Sequence, residues 1–364
     1  MALAATIAGA ALVMLPASPA SAAANELFIE DGIITYYGVG GNTSNLVVRV
    51  SGAVYTFDDA VSFEAHSGCS HPGLDETYAT CIATGVTQVV IDVAAGNDTI
   101  DYWATPPVHV FGGKGNDYII TGNANDTLEG GPGNDVLNGW TGDDWLVGGT
   151  GADDLRGGAG EDQVSYYDHT LSVTASIDGD VGDDGSAGEG DTIRTDVEHI
   201  EGGSGNDTLI GNDVGNLLRG AGGTDYLYGN GGDDILQGDG RFGSPIFADF
   251  HYGGPGIDQV NYVDHTTGVV VDLDGAVGDD GTPGEGDTIA SDVESVFGGH
   301  GDDLLIGNSG ANVLEGHNGD DELRGLAGND TLRGRFDSDT FDGGTNTDSC
   351  DFVVGEDVSQ VGCE

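Results

Sequence analysis

An apolar residue recurs at every ninth position over long stretches of this chain, two residues after an aspartate or asparagine. The first run starts at Gly112 and reads GGKGNDYII, TGNANDTLE, GGPGNDVLN, GWTGDDWLV, GGTGADDLR and GGAGEDQVS. A nine-residue period with glycines clustered at positions one, two and four fits neither an amphipathic helix nor a continuously alternating strand. It predicts a very short strand and a tight glycine turn that stack repeatedly, which is a solenoid of the all-β class.

Three arrays of this pattern divide the chain. A degenerate repeat at Gly96 opens the first array, and an insertion around 241–252 interrupts the second. The two spacers between arrays carry Asp-His-Thr, Glu-Gly-Asp-Thr-Ile and Asp-Val-Glu in the same order, which indicates an internal duplication. We expect each spacer to continue the stack through strands such as LSVTASID and GVVVDLD. The predicted segments are array 1 (96–165), spacer 1 (166–201), array 2 (202–261), spacer 2 (262–297) and array 3 (298–364).

Two segments before the arrays lack the repeat. Residues 1–22 are small and apolar and end in Ala20-Ser21-Ala22, so we expect a signal peptide, although no Lys or Arg precedes Arg49. Residues 23–95 alternate apolar and polar positions between glycine and asparagine turns, which predicts a small all-β region that caps the solenoid. No other stretch is long and apolar enough to span a bilayer.

The four cysteines fall into two pairs along the chain, Cys69 with Cys81 and Cys350 with Cys363. Three connectivities are possible on paper. We expect the two local pairs, because they sit at opposite ends of an elongated array. Each would close a short loop and stabilise the fold by about 3 kcal/mol, and disulfides are typical of exported proteins. The second pair would form a C-terminal cap on array 3.

Charge sets the chemistry of the chain. Its 364 residues include 63 acidic and 9 basic side chains, for a formal net charge of −54, which disfavours nucleic acid and anionic membranes as partners. Such a charge, with 67 glycines, would favour disorder if the 37% of apolar residues were not periodic. Carboxylates repeated at a fixed spacing with so few basic partners need another cation.

Calcium is the cation that fits this pattern best. Glycine turns let backbone carbonyls point inward, and the aspartate at position six adds a carboxylate where the strand begins. Ca²⁺ takes six to eight hard oxygen ligands in flexible geometry, whereas Mg²⁺ demands a stricter arrangement. For one repeat, an aspartate that only shapes the glycine turn would be the simpler explanation. The recurrence of many aspartates in phase, together with the net charge, favours calcium.

These repeats resemble the GGxGxDxUx nonapeptides of the RTX family of calcium-binding bacterial proteins. The resemblance implies a parallel β-roll, a right-handed β-solenoid in which two nonapeptides make one turn. Calcium ions would then lie between units two apart on the same side. The calcium ligands predicted on this basis are Asp117, Asp126, Asp135, Asp144, Asp153, Asp162, Asp207, Asp225, Asp234, Asp258, Asp303, Asp321, Asp330, Asp339 and Asp348.

Three positions depart from the family pattern. Asn216 and Asn312 put a neutral amide at position six, so calcium sites there should be weaker. The insertion in array 2 breaks the register, so we expect Asp258 to lack a partner on the same side below it.

Catalytic signatures are missing from the sequence. It contains no His-Glu-x-x-His and no Gly-x-Ser-x-Gly, the motifs of common zinc proteases and serine hydrolases. Asp168-His169 and Asp264-His265 are the only suggestive pairs. Adjacent residues of a strand point to opposite faces, so we do not expect either pair to form a dyad. We predict a protein that is not an enzyme.

The resulting expectation is a secreted bacterial protein, extracellular, whose β-roll binds calcium, folds in a calcium-dependent way and has a structural or adhesive role. One alternative is a calcium-dependent adhesin that binds glycan such as cell-surface polysaccharide. A less favoured alternative is an accessory module of a secreted hydrolase. No paired aromatic platform for a sugar is evident in the sequence.

Overall fold

Regular structure in this protein consists of short strands joined by glycine turns. The computed structural model describes residues 25–41, 43–239, 246–351 and 359–363, and these residues contain strands and no helix. The predicted signal peptide lies outside the described residues. A helix able to cross a membrane is not found in the described part of the chain. The chain divides into two compact units, residues 1–164 and 165–364, and each is described by itself.

The first unit begins with the predicted all-β region. Antiparallel pairing joins β1 to β2 and links β3, β4, β7 and β6 in that order, whereas β2 lies parallel on β8. These strands are β1 (Asn25–Glu30), β2 (Ile33–Tyr37), β3 (Asn45–Ser51), β4 (Val54–Asp58), β5 (Phe63–Ala65), β6 (Cys69–Ser70), β7 (Tyr78–Ile82) and β8 (Gln88–Asp92).

The rest of the first unit is a parallel stack in which successive strands alternate between two sheets. One sheet runs β8, β10, β12, β14, β16, and the other runs β3, β9, β11, β13, β15. Two repeats therefore make one coil, because a strand pairs with the strand two elements later. The strands are β9 (Thr99–Trp103), β10 (Val108–Phe111), β11 (Tyr118–Ile120), β12 (Thr127–Glu129), β13 (Val136–Thr141), β14 (Trp145–Val147), β15 (Asp154–Ala159) and β16 (Gln163–Ser165).

The second unit repeats this architecture with longer connections. One sheet runs β20, β22, β24, β26, β29, β31, β33, β35. The opposite side carries two sheets, β18, β17, β21, β23, β25, β28 and β27, β30, β32, β34, β36.

The strands of the second unit are β17 (Val173–Ser176), β18 (Gly185–Ser186), β19 (Thr192–Ile193), β20 (His199–Glu201), β21 (Thr208–Ile210), β22 (Leu217–Ala221), β23 (Tyr226–Tyr228), β24 (Ile235–Asp239), β25 (Phe250–Tyr252), β26 (Gln259–Asn261), β27 (Val270–Asp272), β28 (Thr288–Ile289), β29 (Ser295–Phe297), β30 (Leu304–Ile306), β31 (Val313–His317), β32 (Glu322–Arg324), β33 (Thr331–Arg335), β34 (Thr340–Asp342), β35 (Ser349–Asp351) and β36 (Ser359–Val361). The all-β parallel solenoid predicted from the nine-residue period is thus confirmed.

The apolar residue of each repeat forms the core. In the first unit, Val110, Leu128 and Leu146 are in register on one sheet, and Ile119, Leu137 and Leu155 are in register on the other. All six side chains are fully buried. Burying a leucine or isoleucine contributes about 1.5–3 kcal/mol, so two thin columns of aliphatic side chains supply the apolar stabilisation of the coil.

One histidine interrupts the aliphatic column of the second unit. His251 lies in register between Leu227 and Ile289, and only 1% of its surface is exposed. Neither ring nitrogen has a hydrogen-bond partner. Burial lowers the pKa of His251 to about 4, so the ring is neutral at pH 7 and packs as an apolar group.

The insertion predicted at 241–252 is shorter than expected. Its last residues form β25, which pairs in parallel with β23 on one side and β28 on the other. The sequence pattern was hidden because His251 replaces the aliphatic residue of that repeat. The predicted disulfides are confirmed, since Cys69 bonds to Cys81 and Cys350 bonds to Cys363.

Gly151, at position four of its repeat, is required by the close stacking of coils. Gly151 has a φ of 137°, and a methyl group on its Cα would lie 1.5 Å from the carbonyl oxygen of Gly133, one coil below. A side chain there would push two coils apart.

We expect Gly151→Ala to destabilise the first unit by several kcal/mol, because backbone strain adds to a clash with backbone that cannot move aside. Gly188→Ala is the matched control. Its φ is 100°, but a methyl group at Gly188 would meet nothing within 4 Å, so only about 1–2 kcal/mol of strain is expected. Thermal unfolding of both variants in calcium measures the difference. Equal losses would contradict the stacking argument.

Candidate metal-binding site

The position-six aspartates lie where each glycine turn meets its strand, and they are connected from coil to coil. Asp135 is 1% exposed, and its Oδ1 accepts the backbone N–H of Asp117 at 2.7 Å. The N–H of Asp135 in turn donates to Oδ1 of Asp153 at 2.7 Å. One carboxylate oxygen of each aspartate is thereby fixed by the coil beneath it.

This bond repeats along five rows of residues. In the first unit, row A is Asp98, Asp117, Asp135 and Asp153, and row B is Asp126, Asp144 and Asp162. In the second unit, row C is Asp207, Asp225, Asp249 and Asp287, row D is Asn216, Asp234, Asp258 and Glu294, and row E is Asp303, Asp321 and Asp339.

A sixth row, row F, is Asn312, Asp330 and Asp348. Within each unit the rows place every predicted aspartate beside a position-six residue of a neighbouring coil.

The second carboxylate oxygen is what makes these rows candidate cation sites. In the described residues, Oδ2 is buried and has no hydrogen-bond donor in Asp98, Asp117, Asp126, Asp135, Asp144, Asp225, Asp234, Asp249, Asp258, Asp321, Asp330 and Asp348. A buried carboxylate oxygen without a donor is strongly destabilising unless a cation compensates it.

Backbone oxygens converge on the same place. A methyl group on Gly130 would lie 2.5 Å from Oδ2 of Asp135 and 2.7 Å from the carbonyl oxygen of Gly148. Glycine at position one therefore leaves room beside a carboxylate and a carbonyl from the next coil. A donor set of carboxylate and carbonyl oxygens suits a hard cation such as Ca²⁺.

Burial makes the charged form of these aspartates unfavourable on its own. It raises the pKa of Asp126 to about 6, of Asp135 to about 7 and of Asp144 to about 8. In the second unit, burial raises the pKa of Asp225 to about 7 and that of Asp321 to about 8. Neighbouring carboxylates of the same row add to the rise at Asp135, Asp144, Asp225 and Asp321. A cation between coils would remove both penalties.

Sequence reasoning missed several row members, and it misjudged Asp258. The expectation that Asp258 lacks a same-side partner is wrong, because its Oδ1 accepts the N–H of Asp234 at 3.0 Å. Asp249, Asp287 and Glu294 were not predicted. The Asp-Phe-His-Tyr-Gly-Gly segment at Asp249 carries the usual aspartate before a strand and a glycine pair, and that signal could have identified it.

The two asparagines replace a cation with an amide. Nδ2 of Asn216 donates to the carbonyl oxygen of Glu198 at 2.8 Å, and Nδ2 of Asn312 donates to that of Glu294 at 3.3 Å. In both places a glutamate precedes the asparagine by one coil. The side-chain N–H₂ thus supplies internally the positive partner that aspartate rows must take from solution.

The side chains of Asp168 and His169 contact each other, although they were predicted to point to opposite faces. Nδ1 of His169 lies 2.9 Å from Oδ1 of Asp168, and Nε2 lies 3.1 Å from Oε2 of Glu189. The argument from strand alternation failed because these residues lie in a turn. The carboxylates on both sides raise the pKa of His169 to about 9, so the imidazole is charged at pH 7 and is held as an ion pair.

Comparison with known families identifies the repeats. The model of the RTX calcium-binding nonapeptide repeat matches residues 111–146, 138–166, 195–213, 210–240, 295–314 and 315–350. These segments contain most of the row residues; Asp98, Asp249, Asp258, Asp287 and Glu294 lie outside them. A search of curated proteins gives no match.

The raised pKa values predict how the calcium-free chain responds to pH. A carboxyl group with a pKa of 6–8 in the fold and about 3.9 when unfolded favours folding most below about pH 4. That contribution is lost as pH rises through 6–8. With calcium removed by exhaustive dialysis against calcium-free buffer, we therefore expect the β signal in circular dichroism to be larger at pH 4.5 than at pH 8. A larger β signal at pH 8 would contradict this assignment of buried carboxylates.

Proposed function

Since the three arrays of this chain belong to the RTX calcium-binding nonapeptide repeat family, we propose that the protein is an extracellular scaffold that calcium folds and stiffens, and that it has no enzymatic activity. The observation that carries this proposal is the set of buried Oδ2 atoms without donors in the aspartate rows. Coil stacking brings these oxygens together, and a bound cation makes that approach favourable while the carboxylates are ionised. Calcium binding is thus part of the folding reaction.

An extracellular location is supported by the chemistry of the chain. Two disulfides are typical of oxidising compartments, where Ca²⁺ is also abundant. Extracellular calcium modules have dissociation constants of about 10⁻⁴–10⁻³ M. A site at ten times its dissociation constant contributes about 1.4 kcal/mol by mass action, so several sites together can decide whether the fold forms.

A structural role is favoured over glycan binding by the surface aromatic residues. Tyr226 and Phe250 stack at 4.4 Å between ring centroids, and Tyr228 and Tyr252 stack at 4.8 Å. The rings of each pair are nearly parallel, so each covers a face of the other. Cross-strand stacking of this kind stabilises adjacent strands. A sugar platform would instead turn ring faces toward solvent.

Removing calcium tests the proposal directly. We expect the purified chain at pH 7.5 to show a β-rich circular dichroism spectrum in millimolar calcium and to lose most of that signal in EGTA. Adding calcium back should restore it cooperatively, because each ion bridges two coils. A β spectrum that survives chelation unchanged would refute calcium-dependent folding.

A single carboxylate in a row provides a sharper test. Asp144→Asn should bind fewer calcium ions and unfold at lower temperature in calcium, because Asp144 is buried and its Oδ2 has no donor. The adjacent exposed Asp143 allows the same change of charge, and Asp143→Asn should leave the calcium stoichiometry unchanged. Calorimetric titration measures both variants. Identical stoichiometries would place calcium somewhere other than row B.

A further inference from the structure

A cluster of a different composition from the aspartate rows joins one residue of array 2 to two residues of the second spacer, beside Asp249 and Asp287 of row C. Asp239 ends β24, His265 lies in the turn after β26, and Glu285 precedes β28. One ligand atom of each residue lies within 4.8 Å of the others, and Nε2 of His265 is 3.6 Å from Oδ2 of Asp239. The His265 and Asp239 side chains are 8% and 4% exposed, and Glu285 is 8% exposed.

These side chains are held in place, yet their facing atoms have no donor. Oδ1 of Asp239 accepts the N–H of Phe247 at 3.2 Å, and Oε2 of Glu285 accepts the hydroxyl of Thr282 at 2.7 Å. The other oxygens, Oδ2 of Asp239 and Oε1 of Glu285, are buried without a donor from a surrounding residue, and the two carboxyl groups interact directly with each other. Two buried carboxylate oxygens beside an imidazole are unfavourable unless a shared proton or a bound metal ion lies between them.

From this geometry we propose that Asp239, His265 and Glu285 bind one divalent metal ion, with Zn²⁺ as the best fit. Imidazole is a good ligand for zinc and a poor one for calcium, which prefers oxygen donors throughout. Ligand atoms around a tetrahedral zinc ion, about 2.0–2.1 Å from the metal, lie about 3.3 Å apart. The 3.6 Å between Nε2 of His265 and Oδ2 of Asp239 needs only a small closure, and the Glu285 ligand atom lies within 4.8 Å of both.

The duplicated first spacer shows why this cluster is specific to the second. There, both ring nitrogens of His169 are engaged by Asp168 and Glu189. In the second spacer, Nε2 of Gln237 donates to Oδ2 of Asp264 at 3.2 Å. Asp264 forms no hydrogen bond with the neighbouring ring, and Nδ1 of His265 has no partner. The same Asp-His motif thus forms an ion pair in one copy and leaves a potential ligand in the other.

Zinc titration of the full chain in saturating calcium tests this site. We expect one zinc ion to bind per chain by calorimetry, with calcium filling the rows. His265→Gln and Asp239→Asn should each weaken zinc binding at least tenfold, the range seen when metal-site residues are altered. His169→Gln is the matched control and should leave zinc affinity unchanged. Circular dichroism in calcium shows whether each variant is folded. If His265→Gln does not fold, Asp239→Asn still tests the zinc site.

Several results would overturn the zinc site. Failure to bind zinc in saturating calcium would mean that a shared proton, and not a metal, joins the two carboxylates. If His169→Gln weakens zinc binding as much as His265→Gln does, the ion is bound by other histidines. If rising calcium abolishes zinc binding, the ion occupies the aspartate rows. Replacement by Co²⁺ gives an independent readout, since a visible absorption band that His265→Gln removes reports nitrogen coordination. The calcium dependence of folding is measured separately and can stand if the zinc site does not.

Discussion

The two carboxylate oxygens of the position-six aspartates have different roles, and the rest of the structure depends on this difference. One oxygen accepts a backbone N–H from the neighbouring coil and fixes the register of stacking. In twelve described aspartates the other oxygen is buried without a donor, whereas Oδ2 of Asp207 and Asp303 accepts the N–H of a glycine in the same turn. The fold consequently creates an electrostatic need that a polypeptide with 63 acidic and 9 basic side chains cannot meet by itself.

Much of this arrangement can be predicted from the sequence, because in a solenoid the repeat length determines which residues lie above one another. Once two repeats make a coil, Leu128 must stack on Leu146, and Asp126 must lie beside Asp144. Prediction failed where the period was disguised. Asp249 escaped notice because a histidine stands at the aliphatic position two residues later, and Glu294 because it is one methylene longer than aspartate.

The cluster of Asp239, His265 and Glu285 could not be predicted from the sequence. Asp239, His265 and Glu285 come from separate coils and share no regular spacing, so only the three-dimensional path of the chain brings them together. The duplicated motifs gave no hint of a difference, since both spacers read Asp-His-Thr. The difference arises from Gln237, a residue outside the motif, which engages the aspartate of one copy.

Asn216 and Asn312 connect neighbouring coils without a metal ion. Asn216 and Asn312 join their coils to a glutamate backbone through an amide that is always present. The hydrogen bonds of these two asparagines can form at calcium concentrations that are too low to fill the sites of the aspartate rows. At Asn216 and Asn312 the contact between coils therefore does not depend on the calcium concentration.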